Sequence, residues 1–450
     1  MASLGAISAI ATSAAAAPSG FAERAASDSI PYSSLYPAEQ EIRNVINNTH
    51  IIDMGHAGSS SQSREDSVRN LITRFYVDQF RHFQDPRSPY FMFLSKDANV
   101  AMGIGGTVRM RGWYDWGGSL PANGFCPYLI QIPSDPAARR RLAATPSGSA
   151  LFFTVIGHSG LIGDYMAYIE ANFNGYGGIG FQLKKAYATV GDWTVGYAPS
   201  TFSDPAAQPP TIDGAGPNGM VSHSTILVRW LHDLPKGWSI GASFEFPETS
   251  VSTMPQLTAT CTQYVPDLSV MGQYSWDGGL SHIRAAGLIR TIAYRDLVAQ
   301  RDRAVEGWGA HLSGMFQVAR PLTLFGMAAA GQGVGSYMGD LAIGQYDLVA
   351  RADHDGELYA PFSLGLTAGA KYNFTDRIFA GLALGALRYY PEKNPDNSEY
   401  QYGLYGSLSL FWDITPRLRV GGEYLLGKRQ NFNTDHASAN RVDALFMLSF

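Results

Sequence analysis

Asn440-Arg-Val-Asp-Ala-Leu-Phe-Met-Leu-Ser-Phe450 closes the chain, and it alternates. Val442, Ala444, Phe446, Leu448 and Phe450 share one parity, while Arg441, Asp443, Leu445 and Ser449 share the other. Successive side chains of a strand point to opposite faces, so a period of two marks a strand with one apolar and one polar side. A chain built from many such segments predicts an all-β fold whose apolar face meets lipid, since a membrane barrel carries its signal in alternation.

Working back from this strand, alternating segments of roughly ten to sixteen residues recur from Asn99 onward. We place sixteen, near 99–116, 149–158, 162–175, 181–191, 192–199, 222–234, 237–247, 266–277, 279–294, 304–319, 322–335, 358–375, 377–390, 398–414, 417–429 and 439–450. The connection after every even segment is brief, as at Gly191-Asp192, Arg320-Pro321, Thr375-Asp376 and Thr415-Pro416. Links after odd segments are usually longer, including 117–148, 200–221, 248–265 and 336–357. Short turns at one rim and long loops at the other predict a transmembrane antiparallel β-barrel of about 16 strands with its termini on the periplasmic side. Trp193, Trp238, Trp276 and Trp412 fall near the short turns, where an aromatic girdle belongs.

Composition is compatible with this and excludes little by itself. The 450 residues are 45% apolar and 16% charged, with 49 Gly and a net charge of −5, a balance that argues against a nucleic-acid partner. No uninterrupted apolar run of the length a membrane helix needs follows the N-terminus. Two cysteines, Cys126 and Cys261, are too few for a disulfide scaffold; both fall in predicted outer loops, and whether they bridge or stay as thiols is open at this level.

The N-terminal quarter has a different period. Residues 1–22 have a short apolar stretch followed by an Ala-rich segment, the pattern of a secretory signal peptide, without a basic residue ahead of the apolar stretch. Residues 23–97 form a predicted helical periplasmic extension. There Val68, Leu71, Ile72, Phe75, Phe80 and Phe83 recur at mostly three- and four-residue steps before Asp85-Pro86, and a shorter helix is predicted at 37–47. Residues 98–450 make the barrel.

Parity also assigns the lumen. On the first strand Val100, Met102, Ile104, Val108 and Met110 oppose Thr107, Arg109, Arg111 and Asp115. An arginine facing lipid at the midplane costs about 2–4 kcal/mol, so Arg109 and Arg111 should face the pore. The same test places Glu170, Glu245, Arg284, Arg290, Lys371, Arg419 and Glu423 inside, and Arg229 is put inside as well although its neighbours are apolar on both faces. Lys184 and Lys185 are consecutive and should not both point inward. Many carboxylates, such as Asp353, Asp355, Glu357 and Asp396, fall in loops, which leaves an inferred wall rich in cations and suited to anions. Lumenal charges paired across strands for assembly are the plainer reading. The third external loop, 200–221, holds four prolines and three glycines; folded inward it would narrow the pore with Phe202, Asp204 and Asp213.

No catalytic constellation stands out, since His223 beside Ser222 and Ser224 lacks a third member, so we expect no enzyme. His50, Asp53 and His56 match no strong metal-ligand spacing, and neither a metal nor a cofactor is expected.

Three stretches carry a family resemblance: Phe91 to Arg111, FMFLSKDANVAMGIGGTVRMR; Leu183 to Asp204, LKKAYATVGDWTVGYAPSTFSD; and Val420 to Arg429, VGGEYLLGKR, followed by the terminal strand. With the strand count they resemble the DcaP-like outer-membrane porins, related to the phosphate-selective porins, and in particular versions from the Bacteroidetes. A terminal strand ending in Phe likewise resembles the segment by which outer-membrane barrels are recognised for insertion. The resemblance implies a sixteen-strand homotrimer in outer-membrane lipid that passes small anionic solutes such as dicarboxylates. A sugar-preferring porin, with Trp113, Tyr168 and Tyr405 as lumenal aromatics, and a structural or adhesive barrel are the alternatives.

Overall fold

Sixteen strands pair each with the next and the last with the first. They are β1 Val100–Trp116, β2 Ala150–Ser159, β3 Gly163–Asn172, β4 Gln182–Val190, β5 Trp193–Pro199, β6 Ser224–Leu234, β7 Trp238–Glu245 and β8 Asp267–Trp276. The second half comprises β9 Ser281–Asp296, β10 Arg301–Ala319, β11 Leu322–Gln332, β12 Phe362–Asn373, β13 Ile378–Tyr390, β14 Tyr400–Asp413, β15 Leu418–Asn431 and β16 His436–Ser449. All neighbours are antiparallel, and Asn440 to Ser449 of β16 pairs with Trp116 to Thr107 of β1 to close the ring. The computed structural model describes residues 50–53, 91–94 and 100–450, apart from 119, 121–122, 176–178, 255, 278–279, 352, 393–395 and 416. The predicted signal peptide, the predicted helix at 37–47 and the helical stripe from Val68 to Phe83 lie outside the described residues, as does His56.

Every strand placed from the sequence is present, within a few residues. The alternation holds because each strand presents one face outward and one inward. Outward lie Met102, Ile104, Val108 and Met110 of β1, Phe244 of β7, Ile289 of β9, Leu408 of β14 and Val442, Phe446 and Leu448 of β16, all exposed. Among the described residues this belt has no partner. Aromatic residues bound it at both rims: Trp238, Tyr274, Trp276 and Phe316 follow one another at 5.0, 5.6 and 5.9 Å on the short-turn side. On the long-loop side Tyr114, Trp116 and Tyr424 lie 6.2 and 5.9 Å apart. An apolar belt between aromatic girdles is the outer surface that hydrocarbon requires.

Two departures from simple alternation are informative. A bulge in β4 pairs Glu170 with Lys185 and Ala171 with Leu183, so Lys184 is the extra residue. Lys184 Nζ donates to Glu170 Oε1 at 2.9 Å, and Lys185 is buried. Consecutive lysines therefore both reach the interior, against the sequence expectation, because a bulge suspends strict parity.

The second departure is at the seam. Phe450 exchanges two backbone hydrogen bonds with Gly106, at 2.7 and 2.9 Å, and β16 ends there. The edge of β1 beyond that point is covered by Phe91–Leu94, antiparallel to Ala101–Ile104, with His50–Asp53 parallel beside it. These short strands belong to the segment expected to be helical, and they cap backbone groups that an open edge would leave unpaired. On the other side of β1, Arg140–Thr145 pairs with Arg111–Trp116, continuing β2 upward after a break.

Placing a cation in the belt tests the outward assignment. Leu408→Arg, near the middle of β14, should lower stability by about 2–4 kcal/mol, read by urea titration of protein refolded into phosphatidylcholine vesicles.

Candidate functional site

The interior of the barrel is where the polar parity converges. Arg111, Glu170, Arg229, Glu245, Arg284, Arg290, Arg419 and Glu423 face inward and are at most 3% exposed. Such burial requires that something fill the lumen, and three external loops do. Loop 1 (117–149) sends Leu120, Phe125 and Ile130 inward against Tyr405, Leu425 and Ala439. Loop 6 (333–361), with the short helix α1 Gly339–Gly344, places Tyr337, Met338, Leu341 and Tyr346 in an apolar cluster with Phe202 and Val221 of loop 3 and Leu387, Tyr389 and Tyr400 of the wall.

Loop 3 (200–223) runs along the inner wall. Its Phe202, Asp204 and Asp213 are fully buried. It starts on β7, where Thr201 N donates to Glu245 Oε1 at 2.9 Å and Ser243 Oγ donates to Thr201 Oγ1 at 2.7 Å. It then crosses β9 and β10, where Asp204 meets His282 at 2.8 Å, Ser313 at 2.6 Å and Arg284 at 3.5 Å. Arg284 also donates to the Ser203 carbonyl and to the Gln273 side chain, and the His311 ring bonds the Phe202 carbonyl at 2.8 Å. Burial by itself would raise the Asp204 carboxyl; the Arg284 and His282 charges and the Ser313 hydroxyl hold it below the ordinary carboxylate range.

Further on, Pro209 and Pro210 lie against β12 and β13 at inward glycines. A Cβ on Gly369 would meet Pro209 Cβ at 2.4 Å, and one on Gly381 would meet Pro210 O at 2.5 Å. Gly219 is as tight, since a Cβ there would meet the Leu366 and Ala386 carbonyls at 2.2 and 2.5 Å. Bare glycine backbone is what lets a second chain lie flat on the wall.

Asp213 ends this traverse in a second charged cluster. Arg111 Nη1 lies 2.8 Å from Asp213 and 3.2 Å from Asp443, Asp213 N donates to Glu423 Oε2 at 2.6 Å, and Phe125 N donates to Asp213 Oδ1 at 3.0 Å. Arg441 is bridged to Asp115 at 2.6 Å and donates to the Asn123 carbonyl, as does Arg111. Arg109 binds the carbonyl oxygens of Ser147 and Ile212. Arg109, Arg111, Glu423 and Asp213 are thus brought together, and so are Phe202, Asp204 and Arg284.

The other inferred lumen residues are dispersed. Arg290 pairs with Asp267 and Asp347, each at 3.3 Å, under the Tyr337 ring. Arg229 donates to the Pro199 carbonyl at 3.0 Å. Arg419 is clamped to Asp413, and Lys371 lies 4.8 Å from the Phe379 ring centre. Glu170 accepts from Lys184 and from Tyr168.

The wall is therefore less cationic than the strand sequences alone suggested. Loop carboxylates Asp204, Asp213 and Asp347 fold back onto Arg284, Arg111 and Arg290, and this pairing across elements is invisible to parity. His282, His311, Asp267, Asp413, Asp347 and the inward glycines were missed as partners; Asp115, Arg441 and Asp443 shared the polar parity without a role. The cysteines are both free, and burial pushes the Cys126 thiol well above its usual range. Among the described residues no cluster of His, Cys, Asp or Glu could hold a metal ion.

No protein-family model and no curated protein matches the chain. Solved structures do. The outer membrane channel DcaP of Acinetobacter baumannii aligns over 80% of this chain and 99% of its own, at 21% identity and TM-score 0.68. An anion-selective porin from Comamonas acidovorans aligns over 78% and 100%, at 12% identity and TM-score 0.53. Salmonella typhi OmpF, in complex with daunomycin, aligns over 79% and 99%, at 10% identity and TM-score 0.50. At these identities the likeness is one of fold.

Arg111 is the keystone of the second cluster. Arg111→Met leaves Asp213 and Asp443 buried without their bridging cation and should cost about 3–5 kcal/mol. Urea titration, with heat-modifiable gel migration as the check on barrel formation, measures it.

Proposed function

We propose that this chain is an outer-membrane porin that lets small hydrophilic solutes diffuse passively, as a homotrimer, with preference for anions such as small carboxylates or phosphate. The observation that carries this reading is a closed sixteen-strand barrel with an apolar belt outside, charged residues inside, and a third loop laid along the inner wall instead of over the mouth. The likeness of fold to DcaP and to the anion-selective porin of Comamonas supports the same reading. Preference for anions rests on cations of the inner wall, among them Arg109, Lys371 and Arg429; Arg429 Nη1 donates to the Tyr128 carbonyl at 2.6 Å, and its guanidinium lies 5.0 Å from the Tyr128 ring centre.

One observation favours a second reading, a structural or adhesive barrel: the apolar clusters of loops 1, 3 and 6 fill the external half of the lumen. Conductance separates the two. In planar bilayers a porin gives stepwise openings, whereas a barrel held closed by its loops gives none. For the porin, a salt gradient should give an anion-side reversal potential, and the double variant Arg109→Ala/Lys371→Ala should lower the anion-to-cation permeability ratio by roughly twofold or more. Cation preference in the wild type would remove the anionic part of the proposal.

The external mouth adds a pH dependence. Burial, reinforced by Asp396, pushes the Glu399 carboxyl up to about 7. Glu399 is therefore neutral at pH 6 and ionised at pH 8, and the new negative charge should reduce anion preference across that window. Glu399→Gln should flatten the response, measured as reversal potential against pH.

A further inference from the structure

Strands β9 and β10 outrun their neighbours at the long-loop rim. The β8 ladder ends with Leu268 opposite Ile289, and the β11 ladder ends with Gln332 opposite Trp308. Above those rungs β9 and β10 continue as a two-stranded hairpin, from Arg290 opposite Gly307 to Asp296 opposite Arg301. At about 3.4 Å per residue this carries the hairpin roughly 24 Å beyond the adjoining strands.

Its two flanks differ. On the β9 side Thr258–Thr260 pairs with Tyr294, Arg295 and Asp296, and the Gln263 side chain stands in for a strand. Gln263 Oε1 accepts from Ala293 N and Gln263 Nε2 donates to the Ala293 carbonyl, both at 2.8 Å. Opposed residues of an antiparallel pair exchange both backbone bonds or neither. Ala293 gives its pair to Gln263, so Ala304 opposite it turns its N–H and C=O away from β9, and alternation gives Asp302 and Glu306 the same direction. Among the described residues no backbone group meets them on that side, and all three residues are exposed. Edges of β1, by contrast, are covered by Phe91–Leu94 below and Arg140–Thr145 above.

The open edge is also held straight. On its inner face Arg303 reaches Asp296 at 2.8 Å and Glu357 at 2.6 Å, Leu358 N donates to the Tyr294 hydroxyl at 3.0 Å, and Val305 packs against the cluster of Ile292, Tyr294 and Leu358. An edge fixed beforehand lowers the ordering cost of adding a strand. Its outward face places Asp302 and Glu306 on either side of Ala304. A second copy paired edge to edge, Ala304 opposite Ala304, would set Asp302 against Glu306 twice, and like charges directly opposite are destabilising.

We propose that the edge from Asp302 to Glu306 is an external docking site for an extended segment of another protein, which adds to β10 as a strand with basic side chains opposite Asp302 and Glu306. The backbone groups of Asp302, Ala304 and Glu306 supply attachment, and the two carboxylates set register. This goes beyond the porin reading and is independent of what passes through the lumen.

Hydrogen exchange and fluorescence anisotropy on the detergent-purified full chain test it, with labelled Thr-Lys-Thr-Val-Thr-Lys-Thr as the probe and the same peptide with Glu for Lys as its counterpart. The basic probe should bind saturably and slow exchange within 301–307. Ala304→Pro removes an N–H from the open flank and none from the β9 ladder. It should weaken binding at least about fivefold, whereas Ala304→Ser should stay within about twofold of wild type. Asp302→Lys/Glu306→Lys should reverse the preference, taking the acidic probe over the basic one by about threefold or more. Heat-modifiable migration confirms that each variant folds. No saturable binding of the basic probe, unchanged exchange within 301–307 when it binds, equal binding by Ala304→Pro, or equal binding of both probes to wild type would each overturn the proposal. Slow exchange there without a probe, deepening as protein concentration rises, would assign the edge to a second copy and overturn it too.

Discussion

Closure of the backbone hydrogen-bond ladder is the constraint on which this structure depends. Against hydrocarbon there is no water to satisfy an amide or a carbonyl, so a sheet survives only with every edge paired. Sixteen antiparallel strands achieve this, and the seam shows how tightly the rule is met. Where β16 stops at Gly106, Phe91–Leu94 takes over the remaining edge of β1. Once the ring is closed, the side-chain period of two divides every strand into a lipid face and a lumen face, and the apolar belt, the girdles and the inward charges all follow.

The lumen poses the opposite problem. Its wall carries arginines that burial would penalise severely if they stood alone, and the loops supply the counter-charges. Asp204 and Asp213 seat the two halves of loop 3 on clusters at different parts of the wall, and Asp347 does the same for loop 6 at Arg290. Buried pairs of this kind add little net stability, because the desolvation of both partners offsets their attraction. What they confer is position: a loop displaced from its seat leaves charges on both sides without partners. The inward glycines of β12 and β13 contribute from the other direction, by removing the side chains that would hold the prolines of loop 3 off the wall.

Strand number, strand order and the facing of almost every strand residue were legible in the sequence, because both faces of a membrane barrel are under strong and opposite solvent demands. Arg284 and Ile283 could not exchange faces without placing a guanidinium in lipid. Lys184 escaped that logic because a bulge adds one residue to β4, and nothing in the local pattern Gln182 to Ala186 announces it. Phe91–Leu94 escaped it because four residues are too few to show a period.

By itself, the sequence determined that the chain forms a barrel, where its turns lie, and which arginines point inward, all of which follow from nearest-neighbour alternation. Only the tertiary structure decided what those arginines meet. Arg111 reaches Asp213 across 102 positions of sequence and Asp443 across 332, and Asp204 reaches Ser313 across 109. Parity fixes the direction of a side chain relative to its own strand; the partner at the end of that direction depends on how a loop returns into the space that sixteen strands enclose.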